Sequence, residues 1–387
     1  MPATLDEERA FVGELVGDQP GHWDLAGEIP VDLLRKLGGR GVLCAQTPAR
    51  FGGLGANSMS NGELTAYVGS LCSSLRSVMT SHGMAAWMIQ RLGDAEQRRR
   101  CLADLTSGKL AAVGFSEPQA GSDLSAMRTE IRAHGDSVVV DGGKMWVTVA
   151  SYADTVLIVG RHSAKPGAGA SGGAGASGGA GGGAAVVVVP ADAPGVRLER
   201  VPAPLGCRAA GHAHVYLDNV ELPADSLLGG GGQPLSLIFT TALSYGRISV
   251  AWGCAGIIRA CLKAATAHAR TREQAGKPLG EHQLIGRHLA DLFVAEQVST
   301  RVCEHASQAW ESLSPDMGVA AVLAKHVSAT EAARVSSTAV QVLASAGTQD
   351  GHVVARAYRD AKCMEIIEGS NEISQLILAQ HALSTVR

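Results

Sequence analysis

The stretch DSVVVDGGKMWVTVA, residues 136–150, decides how this chain is read. A β-branched run stops at Asp141, Gly142 and Gly143, and a second β-rich run follows. That pattern carries the signature of a hairpin with a D-G-G turn. Nothing comparable precedes it. DLLRKLGGRGVL (32–43) has helical apolar spacing and ends in glycines. A long apolar pattern from 62 to 93 also stops at a glycine, and the amphipathic AEQRRRCLADLTSG (95–108) does the same.

Beyond residue 150 the short strands continue as DTVLIVGR, AAVVVVPAD, GVRLERV and HAHVYLDNVELP, with turn residues between them. From Leu235 the spacing is helical again, in long runs over 245–273, 280–310 and 318–347 and a final one over 372–383. Antiparallel packing of four such helices buries their apolar stripes. The expected organisation is an N-terminal helical domain over 1–111, a middle β domain over 112–225 and a C-terminal helical bundle over 226–387. Between two strands lies KPGAGASGGAGASGGAGGGAA (165–185), which contains GASGGA twice and no large apolar side chain. It reads as a flexible loop, because it cannot offset its ordering entropy. A phosphate loop would need a Lys-Ser/Thr exit into a helix, and no G-x-G-x-x-G follows a strand here.

The chain has 387 residues, is 46% hydrophobic and carries a formal charge of −3. That balance argues against nucleic acid or an anionic membrane as the main partner. The short cluster Arg98, Arg99 and Arg100 reads as a solvated helix face. The eight cysteines lack metal-site spacing and read as reduced, buried thiols of a cytoplasmic protein, with no metal expected. The acidic N-terminus has no apolar signal core. No uncharged run makes a convincing membrane span.

AKCMEIIEGSNEIS (361–374) sets Glu368 after two isoleucines and before a glycine. A solvated loop or the first turn of a helix explains it. So does a general base in a dry pocket, desolvated by Ile366 and Ile367. The residues alone leave both open.

Three long stretches bear on the choice: AAVGFSEPQAGSDLSAMRTE…VTVASYADTVLIVGR (111–161), RTREQAGKPLGEHQLI (270–285) and QVLASAGTQDGHVVARAYRDAKCMEIIEGSNEIS (341–374). With FGGLG, YGRISVA and the segment 204–229, they resemble the acyl-CoA dehydrogenase family across essentially the whole chain, in order. The resemblance implies an acyl-CoA dehydrogenase-like fold and an FAD-dependent oxidoreductase. It implies FAD contacts from Phe115, Ser116, Gly121 and Ser122, then from Trp146 and Thr148. Arg272, Gln341 and Gly347 match positions that hold the pyrophosphate and adenine of FAD from a neighbouring subunit, in a homodimer or homotetramer. Ser370 matches a further flavin contact and could cap the helix behind it, with Glu372 in its first turn. One departure stands out: Ala275 replaces a usual aromatic, which predicts weaker FAD retention.

By the same resemblance Glu368 is the catalytic base, with Gly369 letting the backbone come close to a thioester. Relatives that carry the base before the arginine of YGRISVA have it where this chain has Gly246; Glu365 is a nearby rival. Arg247 and Ser122 are implied substrate contacts. Met84 and Trp87 lie on the helix implied to line the acyl pocket, where their bulk would shorten it. His82 is there too, as a hydrogen-bond partner for a substrate hydroxyl or as a buried structural histidine. The stretches 69–87, 249–261, 325–347 and 361–372 look closer to the acyl-ACP dehydrogenases of hydroxymalonyl and methoxymalonyl extender-unit (polyketide) biosynthesis. That resemblance implies an acyl carrier protein as partner, glyceryl-ACP as substrate and 2-hydroxymalonate-semialdehyde-ACP as product. Seryl-ACP, a catabolic short-chain acyl-CoA dehydrogenase, a flavin oxidase or monooxygenase, and a non-enzymatic scaffold are the competing expectations.

Overall fold

A computed structural model describes residues 5–163 and 183–385. Six helices open the chain: α1 (Leu5–Val16), α2 (Pro20–Ala26), α3 (Val31–Gly39), α4 (Ser58–Leu71), α5 (Ser73–Leu92) and α6 (Ala95–Thr106). The apolar run over 62–93 is thus two helices. Cys72 is extended (φ −156°, ψ 111°), and its Sγ accepts from the Leu75 N–H at 3.5 Å, capping α5. α6 opens on a capping box, with Gln97 N–H donating to Asp94 Oδ1 at 2.8 Å and Asp94 N–H to Gln97 Oε1 at 2.9 Å.

Seven strands follow: β1 (Ala111–Gly114), β2 (Glu130–His134), β3 (Ser137–Val147), β4 (Thr155–Ser163), β5 (Ala184–Pro190), β6 (Val196–Arg200) and β7 (Ala213–Pro223). They form one curled sheet in the order β1-β4-β2-β3-β7-β6, with β5 antiparallel on β4. The repeated GASGGA lies outside the described residues, whereas Ala184 and Ala185, expected in that loop, belong to β5.

The expected D-G-G hairpin is absent, because β3 runs unbroken through Asp141, Gly142 and Gly143. Asp218 and Asn219 of β7 oppose Asp141 in a bulge, and Asn219 N–H donates to Asp141 Oδ2 at 3.2 Å. Gly142 serves close approach: a Cβ there would lie 2.7 Å from Thr129 Oγ1, at φ 142°. The hairpin turn is instead Gly135–Asp136, between β2 and β3. A second bulge sets Met145 and Trp146 of β3 against His214 of β7 and throws Trp146 into the left-handed region at φ 56°.

The last third comprises α7 (Leu235–Thr271), the tiny hairpin β8 (Glu273–Gln274) and β9 (Lys277–Pro278), α8 (Gln283–Glu311), α9 (Met317–Leu343), α10 (Val353–Met364) and α11 (Asn371–Thr385). α7, α8 and α9 pack together and α10 closes against α7 and α9. The terminal helix, expected as an inner member, lies on α9 with Ser374 as its buried residue. α7 is long and apolar enough to cross a membrane, yet 78% of its most apolar window is buried inside the fold. Fully buried Trp252 packs on Gly62 of α4 and donates from Nε1 to Ser307 Oγ of α8 at 3.0 Å, fixing α7 between them. All eight cysteines are free.

Candidate active site

α10 ends at Met364, and the chain turns through Glu368 (φ 56°) and Gly369 (φ 90°) before α11 begins. Two consecutive left-handed residues swing the Glu368 side chain inward. Its carboxyl lies on Gly246 of α7. A Cβ at 246 would overlap Glu368 Oε2 and lie 2.6 Å from its Cδ and 2.5 Å from Met84 Cε. Glu368 Oε2 is buried and has no hydrogen-bond partner among the described residues. Burial pushes its pKa up to about 7 against the opposing pull of Arg247, Lys325 and Arg76. The expected source of this dryness needs correction. Ile366 and Ile367 point outward, 60% and 36% exposed, and the wall over the carboxyl is the glycine surface of α7 with Met84 of α5.

Arg247 and Lys325 hold the turn by its main chain. Arg247 Nε donates to Glu368 O at 3.1 Å. Lys325 Nζ, from α9, donates to Gly369 O at 2.7 Å and Glu365 O at 3.3 Å. Lys325 is 0% exposed, and burial lowers its pKa to about 8. Sequence reasoning missed it, although a lysine inside the apolar run VAAVLAKHV was the available signal. Because the Lys325 charge holds the Glu368 pKa down, Lys325→Met is expected to move the acidic limb of the kcat/KM profile to higher pH. It should also lower kcat by loosening the turn. An unmoved limb would count against this coupling. The rival Glu365 is engaged elsewhere, accepting from Lys362 Nζ at 2.9 Å and Asn371 Nδ2 at 3.2 Å.

The residues expected to contact flavin gather at one end of the sheet. Ser116 O accepts from Met145 N–H at 2.8 Å, linking the segment after β1 to the Trp146 bulge. Phe115 packs edge-on against Phe239 of α7 at 5.9 Å. Beneath them Glu117 and Lys144 form a buried ion pair at 2.7 Å, and Glu117 is also tied to Thr129 and to the Arg128 N–H. This knot holds the loop that carries Gly121 and Ser122, both exposed. A Cβ on Gly121 would meet nothing within 4 Å. Thr148 Oγ1 lies 3.2 Å from His212 Nδ1. Trp146 is 57% exposed, with its ring edge-on to His212 and His214 at 6.1 and 6.3 Å. An indole held outward in a strained backbone state, beside an open glycine-serine loop, suits a flat aromatic ligand. The residues therefore fit FAD.

α5 sorts the expected substrate contacts. Met84 faces Gly246 and Glu368, and Trp87 packs on Tyr245 at 6.5 Å and Trp310 at 4.7 Å. His82 does not join them, which corrects the expected hydroxyl contact. It lies about 200° from Met84 around the helix, and its Nδ1 accepts from the Ala111 N–H at 3.2 Å. Burial drops its pKa to about 4. Ser370 and Glu372 sit at the start of α11, where Ser370 Oγ accepts from the Ile373 N–H at 3.4 Å.

Arg272 and Gln341 are exposed at the C-terminal ends of α7 and α9, and Gly347 is buried just beyond α9. Among the described residues no hydrogen bond joins these three to the Phe115–Thr148 set. Ala275 occupies the β8–β9 turn at φ 52°, exposed. Ala275→Phe is expected to tighten FAD several-fold in a binding titration, because alanine already bears the left-handed strain that phenylalanine would carry there. An unchanged Kd would count against a retention role for this position. Elsewhere, a recess of about 360 Å³ lined by Met59, Ser307, Gln308, Glu311 and Ser312 lacks any such constellation. Among the described residues no group of three His, Cys, Asp or Glu is placed to hold a metal ion.

Comparison with known proteins agrees in every third of the chain. The acyl-CoA dehydrogenase N-terminal domain profile matches residues 3–109, the middle domain profile 112–220 and the C-terminal domain profile 236–383. The probable acyl-CoA dehydrogenase YngJ of Bacillus subtilis (strain 168) is 32% identical over 99% of this chain and 100% of its own. The mitochondrial short-chain specific acyl-CoA dehydrogenase of Homo sapiens is 30% identical over 92% of this chain and 84% of its own. Among solved structures, FkbI, described as serving biosynthesis of the methoxymalonyl extender unit of the Fk520 polyketide, superposes with a TM-score of 0.89. It is 58% identical, over 98% of this chain and 99% of that one. The chain belongs to the acyl-CoA dehydrogenase family and is an FAD-dependent dehydrogenase.

Proposed function

We propose that the chain oxidises a three-carbon hydroxylated acyl group on an acyl carrier protein, glyceryl-ACP to 2-hydroxymalonate-semialdehyde-ACP, in polyketide extender-unit biosynthesis. The observation that carries the chemistry is the inward-turned Glu368 carboxyl over Gly246, whose Oε2 is buried and unpartnered among the described residues. The 58% identity to FkbI supports the substrate class.

Glu368 takes the α-proton of the thioester. Its raised pKa makes it a stronger base than a solvated carboxylate. The Glu368 N–H has no acceptor among the described residues and points to a role on the thioester oxygen, where negative charge develops. Arg247 and Lys325 keep that N–H and the carboxyl in fixed relation through Glu368 O and Gly369 O. Phe115, Ser116, Gly121, Ser122, Trp146, Thr148 and Ser370 would hold FAD, with Arg272, Gln341 and Gly347 supplied by a second copy. Bound FAD supplies the acceptor for the hydride leaving Cβ. With a hydroxyl on Cβ the organic product is an enol, which tautomerises to the aldehyde. Met84 and the Trp87–Tyr245–Trp310 cluster would leave room for a short acyl group.

Mass spectrometry of carrier proteins after incubation with FAD-loaded enzyme tests this reading. Loss of two hydrogens from glyceryl loads, ahead of seryl or butyryl loads, is the expected result. Faster turnover of butyryl-CoA would instead select the catabolic short-chain reading, which the similarity to the human short-chain enzyme keeps open.

A further inference from the structure

Thr148 lies in a segment flanked by two residues in the left-handed region, Trp146 at φ 56° and Val149 at φ 74°. A β-branched residue there is a genuine outlier. Such strain persists only where the surroundings hold it, and it gathers at ligand clamps. Here the surroundings do hold it. Val149 N–H donates to Ala210 O at 3.0 Å, Ser81 Oγ of α5 to Thr148 O at 3.2 Å, and Trp146 N–H to His214 Nδ1 at 3.3 Å. The main chain is thereby fixed around Thr148, and its hydroxyl meets a single partner, His212 Nδ1 at 3.2 Å.

His212 stands just before β7 and His214 within it, so the two side chains leave the same face of the strand. One takes the main chain of the bulge and the other the hydroxyl. Burial drops the His212 pKa to about 4, helped by the charge of Arg76 on α5, a cation whose Nη2 donates to the Met364 thioether at 2.7 Å. The His212 ring is therefore neutral, with one nitrogen a donor and the other an acceptor. Nε2 has no hydrogen-bond partner among the described residues. With the proton on Nε2, Nδ1 accepts from the Thr148 O–H. A hydroxyl has one O–H and two lone pairs, so Thr148 then offers a ligand lone pairs alone.

We propose that His212 is a positioning residue that takes the Thr148 O–H, turns the hydroxyl oxygen into an acceptor toward the flavin, and so favours the reduced cofactor. Two-electron reduction of an isoalloxazine puts N–H donors where the oxidised ring has bare nitrogens. An acceptor-only hydroxyl therefore suits the reduced ring better, and hydrogen bonds of this kind tune a cofactor's electronics. This rests on the reading of Thr148 as a flavin contact in the proposed dehydrogenase. The plain structural rival is a histidine that only props the Trp146 bulge. That role would act on FAD retention and stability and would not depend on the hydroxyl at 148.

Redox titration of the FAD-loaded protein against reference dyes, with no thioester present, tests this. It compares wild type, His212→Leu, His212→Asn, Thr148→Val and the double variant His212→Leu with Thr148→Val, with FAD affinity and melting temperature recorded for each. For His212→Leu the expected result is a reduced-to-oxidised ratio about 10-fold lower at a given potential, which is about 30 mV for a two-electron couple. Thr148→Val should lower the ratio as far, and the double variant no further, because the two residues act as one unit. Asparagine sets Oδ1 where the histidine has Nδ1, so His212→Asn should stay within about three-fold of wild type, less than the loss of one hydrogen bond. An unmoved or raised potential in His212→Leu, or a shift that persists in full on the Thr148→Val background, overturns the proposal and leaves the flavin contact standing. So does loss of FAD from a folded His212→Leu, which would make the residue a prop. His212→Ala takes its place if the leucine variant does not fold. An unchanged potential and FAD affinity in Thr148→Val overturns both the proposal and the reading of Thr148 as a flavin contact.

Discussion

Glu368→Gln is expected to bind FAD normally and to lose turnover by roughly 10²–10⁴-fold, the range for removing a positioned general base. The same variant should be more stable above neutral pH. The folded protein holds the Glu368 proton up to about pH 7, whereas an unfolded glutamate releases it near 4.5. A raised pKa of this kind contributes stability that is complete below 4.5 and is lost as pH rises through 7. At pH 8 the wild type therefore carries the full cost of a buried carboxylate, and glutamine removes it, for a gain on the order of 1–3 kcal/mol. At pH 4 the difference should nearly vanish. Thermal melts of both proteins across that range check the sign. A variant with near-normal rate would end the assignment of the base, and one less stable at pH 8 would show that the cations around it need its charge.

Gly246→Ala is expected to lower kcat by about 10²-fold without releasing FAD. The added methyl would occupy the position of the Glu368 carboxyl and press on Met84 Cε, and a displacement near 1 Å is enough for such a loss. Overpacking of this kind costs roughly 1–3 kcal/mol, so a lower melting temperature should accompany the loss. The informative measurement is the acidic limb of the rate profile. A carboxyl pushed toward water regains its ordinary acidity, so the limb should fall below 7 even as the rate drops. An unchanged kcat with an unchanged limb would mean that the carboxyl does not rest on Gly246 in the working enzyme.

Much of the scaffold was legible from local pattern. The runs that became α7, α8 and α9 show helical spacing, and the strands around β4 and β5 announce themselves as β-branched blocks. The D-G-G stretch misled because glycine signals either a turn or a close approach. The choice depended on Thr129 and on β7, far away in sequence. Cys72 broke a helix with no proline or glycine, through its thiol acting as a cap. Glu368 was legible through its motif, but the reason for its dryness was not. The left-handed turn sends the two isoleucines out and the carboxyl in, which apolar neighbours in sequence cannot reveal. Lys325 and Arg76 went unread because their partners lie 44 and 288 residues away. A lone cation in an apolar helix gives no hint of which distant carbonyl or sulfur will meet it.

The grip of Arg247 and Lys325 on carbonyl oxygens alone has an engineering corollary. Neither anchor touches the side chain at 368, so the pedestal and the reagent it carries are separable. Asparagine, aspartate or glycine, which tolerate that dihedral, should be accepted there without dismantling the pedestal, whereas a β-branched substitute should not. The asparagine and glycine variants would yield intact yellow proteins whose leftover rates measure what the cofactor and the thioester grip achieve with no proton acceptor at all, and aspartate would report a base set one methylene back.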